Sequence, residues 1–267
     1  MRGFERGRIH PTAIVSDAAV VADDVTVGAH AIIYDHVTIG NGGFVGPNSI
    51  LGEPTADYYG AGPAPNPSLT IGPRALIRSG AIIYAGTTIG SDFECGHRVT
   101  IREQAEIGAH CRLGTLNDIQ GHCTIGDYAR FHSNVHIAQG TQIGRFVWIF
   151  PYTTLLNDPQ PPSTLNRGAT VEDFAVIATS VVVAAGVRIG RDAFVAARSV
   201  VTRDVAPETM VIGSPARPVS KTPDIRSAET GEPMYPWRNH FERGMPWAGI
   251  GYDAWKARHD RAPEDEV

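Results

Sequence analysis

The stretch IGPRALIRSGAIIYAGTTIG (residues 71–90) opens a run in which an apolar residue returns at every sixth position. Fifteen such anchors follow in one register from Ile71 to Leu155. A small or β-branched residue stands four places after most of them, and Gly directly follows many. Neither an amphipathic helix nor an alternating strand has this period. A period of six is typical of a β-helix, in which each hexapeptide supplies one strand and one turn.

Three hexapeptides make one triangular coil, and coils stack at the β-sheet spacing of roughly 4.8 Å. The anchor and the residue four places later are expected to face inward, and Gly after an anchor suits a corner where a side chain would clash. The same period runs from Ile9 to Leu51 and from Val171 to Val201. We therefore expect an all-β parallel β-helix of about ten coils, each packed only against its neighbours.

Two breaks interrupt the period, and the chain ends in a different composition. Residues 52–70 and 157–170 are rich in Pro, Gly and polar residues, so we predict loops there. Tyr58 and Tyr59 in the first loop favour a substrate-covering role over a plain surface loop. We assign residues 1–219 to the β-helix domain and residues 220–267 to a C-terminal capping tail. Its tryptophans are too apolar for a solvated segment, so short helices folded over the end of the prism are expected.

Composition argues against several classes of partner. The formal net charge is −5 over 267 residues, which argues against nucleic acid or an anionic membrane as partner. No stretch approaches the ~20 apolar residues of a membrane span, and no long apolar run precedes the repeat. Cys95, Cys111 and Cys123 all fall at inward positions, so we interpret them as core residues. A reducing cytoplasm is the expected setting.

Residues 18 apart lie on one face in successive coils, which predicts side-chain contacts. His136 should stack over Asp118, and Gln139 should neighbour Asn157. A carboxylate beside an imidazole can orient it as a proton acceptor. These four residues are the candidate catalytic set, although an exposed corner histidine with an accidental partner would have the same spacing. Candidate substrate-binding residues around them are Tyr58, Tyr59, His132, Asn134 and Trp148.

Two segments carry a resemblance to a known family. The segment GRDAFVAARSVVTRDVAPETMVIGSPARPV (residues 190–219) resembles the closing segment of hexapeptide acyltransferases. The segment FHSNVHIAQGTQIGRFVWIFPYTTLLNDPQPPS (residues 131–163) resembles the active-site region of nucleotide-sugar N-acetyltransferases that act on dTDP-linked 3-amino-3,6-dideoxyhexoses. The resemblance implies a left-handed β-helix, a homotrimer, and acetyl-CoA bound in a groove between adjacent prisms.

The resemblance also suggests a cofactor site. Ala178 and Ala196 are small, lie one coil apart and leave room for the pantetheine arm of acetyl-CoA. Arg203 and Arg217 lie near the end of the prism, where the family binds the 3′-phosphate and adenine; Pro215 belongs to the same segment. Solvated surface charge is the competing interpretation of the two arginines. No metal is expected.

One departure bears on the acceptor. NVHIAQG also resembles the HIAH segment of UDP-N-acetylglucosamine O-acyltransferases, with His136 at the first histidine and Gln139 at the second, which is the base in that family. A sugar amine needs less help from a base than a hydroxyl does, so the sequence favours acetylation of an amine. The alternatives are an O-acetyltransferase, a γ-type carbonic anhydrase with zinc on His97, His132 and His136, and a non-enzymatic scaffold.

Overall fold

The computed structural model describes residues 7–60 and 66–259, and these residues form a left-handed parallel β-helix. The period predicts the β-helix, and the family resemblance implies its handedness. The first block contains β1 Ile14–Val15, β2 Val20–Val21, β3 Thr26–Val27, β4 Ile32–Ile33, β5 Val37–Ile39, β6 Phe44–Val45 and β7 Ile50–Glu53. The chain then forms the short helix α1, Ala56–Gly60, before the next strand.

The central block contains β8 Leu69–Ile71, β9 Leu76–Ile77, β10 Ile82–Tyr84, β11 Thr88–Ile89, β12 Glu94–Cys95, β13 Thr100–Ile101, β14 Glu106–Ile107, β15 Arg112–Leu113, β16 Asp118–Ile119, β17 Thr124–Ile125, β18 Arg130–Phe131, β19 His136–Ile137, β20 Gln142–Ile143, β21 Trp148–Ile149 and β22 Thr154–Leu155. The last block contains β23 Thr170–Val171, β24 Val176–Ile177, β25 Val182–Val183, β26 Arg188–Ile189, β27 Phe194–Val195, β28 Val200–Val201, β29 Thr209–Gly213 and β30 Ala216–Lys221.

Every third strand joins the same sheet, so three sheets form the sides of a triangular prism. Sheet 1 runs from β1 through β16, β19 and β22 to β28; sheet 2 runs from β2 to β26; sheet 3 runs from β3 to β30. The pairings are parallel except for the closing hairpin of β29 and β30. Both interruptions of the repeat leave the prism at the corner between sheets 1 and 2, after β7 and after β22.

The core is the column of inward side chains that the repeat predicts. Ile71, Ile101 and Ile137 are each no more than 1% exposed. The three cysteines are free thiols buried in the same core, as expected. Burial raises the pKa of Cys95 and of Cys111 to about 12, because a thiolate would lose its hydration there. These thiols therefore serve as small apolar groups.

The described part of the C-terminal tail, up to His259, contains short helices, and those from Trp237 onward pack on a side of the prism and not over its end. The 3₁₀-helix Trp237–Asn239 and the α-helix α2, Tyr252–His259, lie on the outer face of sheet 3, and the 3₁₀-helix Thr222–Asp224 directly follows β30. Trp247 is fully buried there, and the indole N–H of Trp237 donates to the carbonyl oxygen of Phe174 at 3.0 Å. The sequence predicts packing over the end of the prism because the repeat pattern specifies only inward residues. The tail instead packs on outward aromatic residues, about which that pattern gives no information.

Candidate active site

The clearest polar arrangement on the prism is the pair formed by His136 and Asp118. Adjacent parallel strands β16 and β19 place the two residues opposite each other, as the 18-residue spacing predicts. Nδ1 of His136 lies 2.9 Å from Oδ2 of Asp118. Their side chains are 38% and 42% exposed, so the pair lies at the surface of sheet 1 and a ligand can reach it.

The protonation of this pair follows from its contacts. The hydrogen bond from His136 holds the pKa of Asp118 below its usual range, and Gln120 and Arg102 add to the effect, while partial burial opposes it. Asp118 is therefore ionised near neutral pH and can only accept hydrogen bonds. When the imidazole is neutral, its proton must lie on Nδ1, so Nε2 carries the lone pair. The pair can thus take a proton from a bound molecule.

Gln139 and Asn157 also come close, but through a third residue. The Asn157 side chain donates to the Asn166 side-chain oxygen at 3.2 Å, and Asn166 donates to the Gln139 side-chain oxygen at 3.0 Å. The loop after β22 folds back so that Asn166 lies between the two predicted neighbours. Sequence reasoning missed Asn166 because it lies in the segment where the period is broken; its amide side chain was the only available signal.

The corner between sheets 3 and 1 carries a second predicted group. His132 stacks on Phe150 with ring centroids 4.5 Å apart, and this partial burial lowers the pKa of His132. In the following coils this column continues as Ala178 and Ala196, whose backbone N–H groups bond to the next coil. Asn134 lies between His132 and His136 in the left-handed region, with φ of 59°. The bulky rings of His132 and Phe150 are thus followed by the small side chains of Ala178 and Ala196, which leaves a step in the surface along this corner.

The structure does not leave Trp148 free beside His136. Its ring packs edge-on against Trp237 and Phe241 of the tail, at centroid distances of 5.9 and 5.3 Å. The guanidinium of Arg130 lies over the same ring at 5.3 Å. Trp148 points outward, as the repeat predicts, but the tail covers it. Its apolar surface is therefore explained within one chain.

Tyr58 and Tyr59 lie far from the pair within one chain. They belong to α1, beside β7, and the Tyr59 hydroxyl donates to Glu53 at 3.3 Å. Four coil steps separate β7 from β19, which is roughly 19 Å at the sheet spacing. Residues 61–65 of the same loop are outside the described part of the chain. The structure therefore does not bring the two tyrosines to His136 of the same chain.

Arg203 and Arg217 come together at the C-terminal end of the prism. They line a cleft of about 650 Å³ together with Lys221. Pro215 lies in the exposed turn between β29 and β30, beside this cleft. One carboxylate, Asp204, also lines this cleft, so the excess of positive charge is what can bind an anionic group there. From this end, the step at the corner of sheets 3 and 1 leads towards His136.

Comparisons with known proteins identify the class of enzyme. No family model matches the chain. The acyl-(acyl-carrier-protein)–UDP-N-acetylglucosamine O-acyltransferase of Stenotrophomonas maltophilia (strain R551-3) is 30% identical over 184 residues, which cover 59% of this chain and 68% of the relative. The chain belongs to the hexapeptide-repeat acyltransferases.

Other comparisons agree on this acyltransferase family. The enzyme of the same description from Xylella fastidiosa (strain Temecula1 / ATCC 700964) is 29% identical over 183 residues, covering 59% of this chain and 68% of that relative. The crystal structure of Arabidopsis UDP-N-acetylglucosamine acyltransferase aligns over 80% of this acyltransferase and 74% of its own chain, with 25% identity and a TM-score of 0.61. The two bacterial relatives are described as O-acyltransferases, whereas the resemblance stated from the sequence is to N-acetyltransferases of dTDP-linked amino sugars.

Two further findings concern the described residues of this acyltransferase. No helix within residues 7–60 and 66–259 is both long and apolar enough to cross a membrane. Over the same ranges, no three His, Cys, Asp or Glu side chains of one chain are grouped so that they could hold a metal ion.

Proposed function

We propose that this protein transfers an acyl group from a thioester donor to a hydroxyl group of a nucleotide-linked sugar. The observation that carries the proposal is the 2.9 Å contact between His136 Nδ1 and Asp118 Oδ2, which leaves Nε2 as a proton acceptor on an open face. A sugar hydroxyl is a weak nucleophile and needs such a base. The named activity of the relatives supports the same acceptor class.

The reaction follows from the position of Nε2. The sugar hydroxyl attacks the thioester carbonyl carbon while Nε2 of His136 takes its proton. The tetrahedral oxyanion is stabilised by a backbone N–H at a coil corner. The carbon–sulfur bond then breaks, the thiolate receives the proton from the imidazolium, and the acyl ester remains on the sugar. Asp118 stabilises the imidazolium that exists between the two proton transfers.

The donor thioester is proposed to lie along the corner between sheets 3 and 1. Its pantetheine arm would pass Ala178 and Ala196, whose methyl groups leave more room along this corner than the rings of His132 and Phe150 do. Arg203, Arg217 and the turn at Pro215 would bind the anionic end of the donor at the cleft near the end of the prism. Acetyl-CoA and an acyl carrier protein both carry pantetheine and phosphate, so both donor types fit this assignment.

A second candidate is N-acetylation of a nucleotide-linked 3-amino-3,6-dideoxyhexose. Gln139 favours it, because an amide cannot act as the second histidine of an HIAH segment and an amine needs less base catalysis than a hydroxyl. In this case His136 would take the proton of the ammonium group formed on attack. His132 and Asn134 remain the proposed sugar contacts under both candidates, and Gln139 keeps its place in the proposed catalytic set.

A thiol-release assay separates the candidates. Acetyl-CoA and acyl carrier protein loaded with acyl chains would be tested against pairs of UDP- and dTDP-linked sugars that differ only in an amino or hydroxyl group. We expect release with the hydroxyl member of a pair and loss of release in His136→Ala. Release only with the amino member would replace the first candidate by the second. No release with any pair would contradict both.

A further inference from the structure

The carboxylate of Asp118 has a second side-chain partner directly after its own strand. Gln120 follows two residues later, so its side chain extends to the same side of the chain as that of Asp118. Its Nε2 lies 3.0 Å from both Oδ1 and Oδ2 of Asp118. An ionised carboxylate only accepts hydrogen bonds, so the nitrogen of this amide must face it. The orientation of Gln120 is therefore fixed by chemistry.

Two donors hold the Asp118 carboxylate from different directions. His136 donates from the neighbouring coil, and Gln120 donates from the same coil, just past the end of β16. The terminal torsion of an aspartate is broad, so a single donor would leave the carboxylate free to turn. We infer that Gln120 is a positioning residue that fixes the Asp118 carboxylate so that one oxygen faces Nδ1 of His136. Nε2 is thereby kept as the proton acceptor; this catalytic consequence rests on the proposed function.

Few charged groups other than His136 lie near Asp118, and those that do are bonded to other residues. Arg102, one coil before Gln120, is bonded to Glu103 at 2.9 and 3.0 Å, and its guanidinium lies over the ring of Tyr84. Strand β22, on the other side of β19, presents the uncharged Thr154. His132 lies at the preceding corner, and Asp158 in the loop after β22 is bonded within that loop. Gln120 is thus the uncharged side chain that hydrogen-bonds directly to the Asp118 carboxylate.

The test measures the titration of Asp118 and the rate separately. Carbon-13 NMR of the Asp118 carboxyl, assigned with Asp118→Asn, would follow its pKa in the substrate-free protein. Gln120→Leu should raise that pKa by removing a donor, and Gln120→Glu should raise it further by adding a like charge. Gln142→Leu, the same change on the outward face of sheet 2, should leave it unchanged. A pKa unaltered in both Gln120 variants would overturn the inference.

A second measurement, of the acyl-transfer rate, tests whether the positioning of Asp118 matters for catalysis. With the sugar found in the thiol-release panel, Gln120→Leu should lower kcat by about threefold to tenfold, the worth of one hydrogen bond, with little change in KM. A kcat equal to that of the wild type would overturn the role in catalysis. If the titration shifts but no sugar of the panel is acylated by the wild type, the positioning of Asp118 stands and the proposed function fails. The two failures are therefore distinguishable.

Discussion

At the scale of single residues, the proposed reaction depends on the Nε2 atom of His136. His136→Ala removes the base and should lower kcat by about 10²–10⁴-fold, the usual worth of general-base catalysis. His122→Ala, an exposed histidine at a corner with φ of 59°, is the matched control and should retain full activity. A raised KM with an unchanged kcat would mean that His136 binds the sugar without acting as the base.

Asp118 should leave a signature in the pH dependence of stability. Its pKa in the folded protein lies below the ordinary value because His136 donates to it. A depressed carboxyl pKa contributes stability above the unfolded pKa, and this contribution is lost as pH falls through the folded pKa. The melting temperature of the wild type should therefore exceed that of Asp118→Asn at pH 6, and the difference should shrink in acid below about pH 4. A difference that does not depend on pH would contradict the ion pair.

How far single residues could be predicted depends on whether the repeat reaches them. The 18-residue spacing predicts Asp118 against His136 and His132 against Phe150, because those residues lie in regular coils. The same rule predicts that Gln139 neighbours Asn157, and the structure inserts Asn166 between them. A loop has no register, so the position of Asn166 depends on how the loop folds back. No pattern in the sequence encodes that.

At the scale of elements, the glycine after an anchor is required by the neighbouring coil. A Cβ added at Gly90 would lie 2.6 Å from the backbone nitrogen of Ala109 in the next coil. The left-handed backbone conformation of the corner falls two residues later, on Asp92, with φ of 56°. The expectation that a side chain would clash at this glycine was therefore right, and the clashing group is the backbone of the next coil.

This close approach predicts a large cost for one added methyl group. Gly90→Ala should lower the free energy of unfolding by about 1–3 kcal/mol, since coil stacking leaves no room to relax. Gly60→Ala is the control: no atom of the described residues lies within 4 Å of a Cβ at Gly60, so this change should be neutral or slightly stabilising. Denaturant unfolding of both variants would measure this. Equal stabilities would mean that the coils move apart freely.

The loop after β22 contains Asn166, whose hydrogen bond to Gln139 leads to a further prediction. Asn166→Ala should lower kcat/KM by about threefold to tenfold, because Gln139 loses the partner that orients it. In a Gln139→Ala background the same change should cost almost nothing, since the two residues share one interaction. Leu165→Ala, at an exposed neighbouring position, should leave the rate unchanged. Additive losses, or a lower melting temperature with normal kinetics, would mean that the side chains of Gln139, Asn157 and Asn166 only stabilise the coils and have no part in the reaction.

The tail shows the limit of prediction at this scale. Its apolar composition indicates that it must pack on something, and it does. The tail packs beside a column of stacked rings, whose centroids are 5.0 and 4.9 Å apart: Tyr128, Phe146 and Phe174. These residues occupy the left-handed corner positions, which the inward pattern leaves free to vary. Periodicity therefore predicts the prism but not the face that the tail covers.

At the scale of the whole molecule, the three faces of the prism differ in chemistry. The tail covers sheet 3 at β21, β24 and β27, where Trp148, Val176 and Phe194 face outward. The outward residues of sheet 2 are mainly polar: Thr38, Thr70, Thr88, Glu106, Thr124, Gln142, Thr170 and Arg188. On sheet 1, Thr100 and Thr154 flank the Asp118–His136 pair, and the outward residues beyond them are aliphatic: Ile14, Ile32, Ile50, Ile82, Val182 and Val200. Sheet 1 is therefore the apolar face of the described chain without a cover of its own.

A row of aliphatic side chains on an otherwise polar surface favours a protein contact, and we propose that copies of this chain supply it in a homotrimer. The contact would enclose His136 between subunits and bring another chain's loop beside it. Light scattering should give three times the chain mass of 28.6 kDa.

Ile82→Arg places a charge in the proposed contact and should yield monomers with less than about a tenth of the activity, because burying an unpaired charge costs several kcal/mol. Thr88→Arg, on the outward face of sheet 2, should remain trimeric and active. Circular dichroism would establish that both variants keep the fold. A wild-type monomer at micromolar concentration with full activity would contradict the assembly, and so would a trimeric Ile82→Arg.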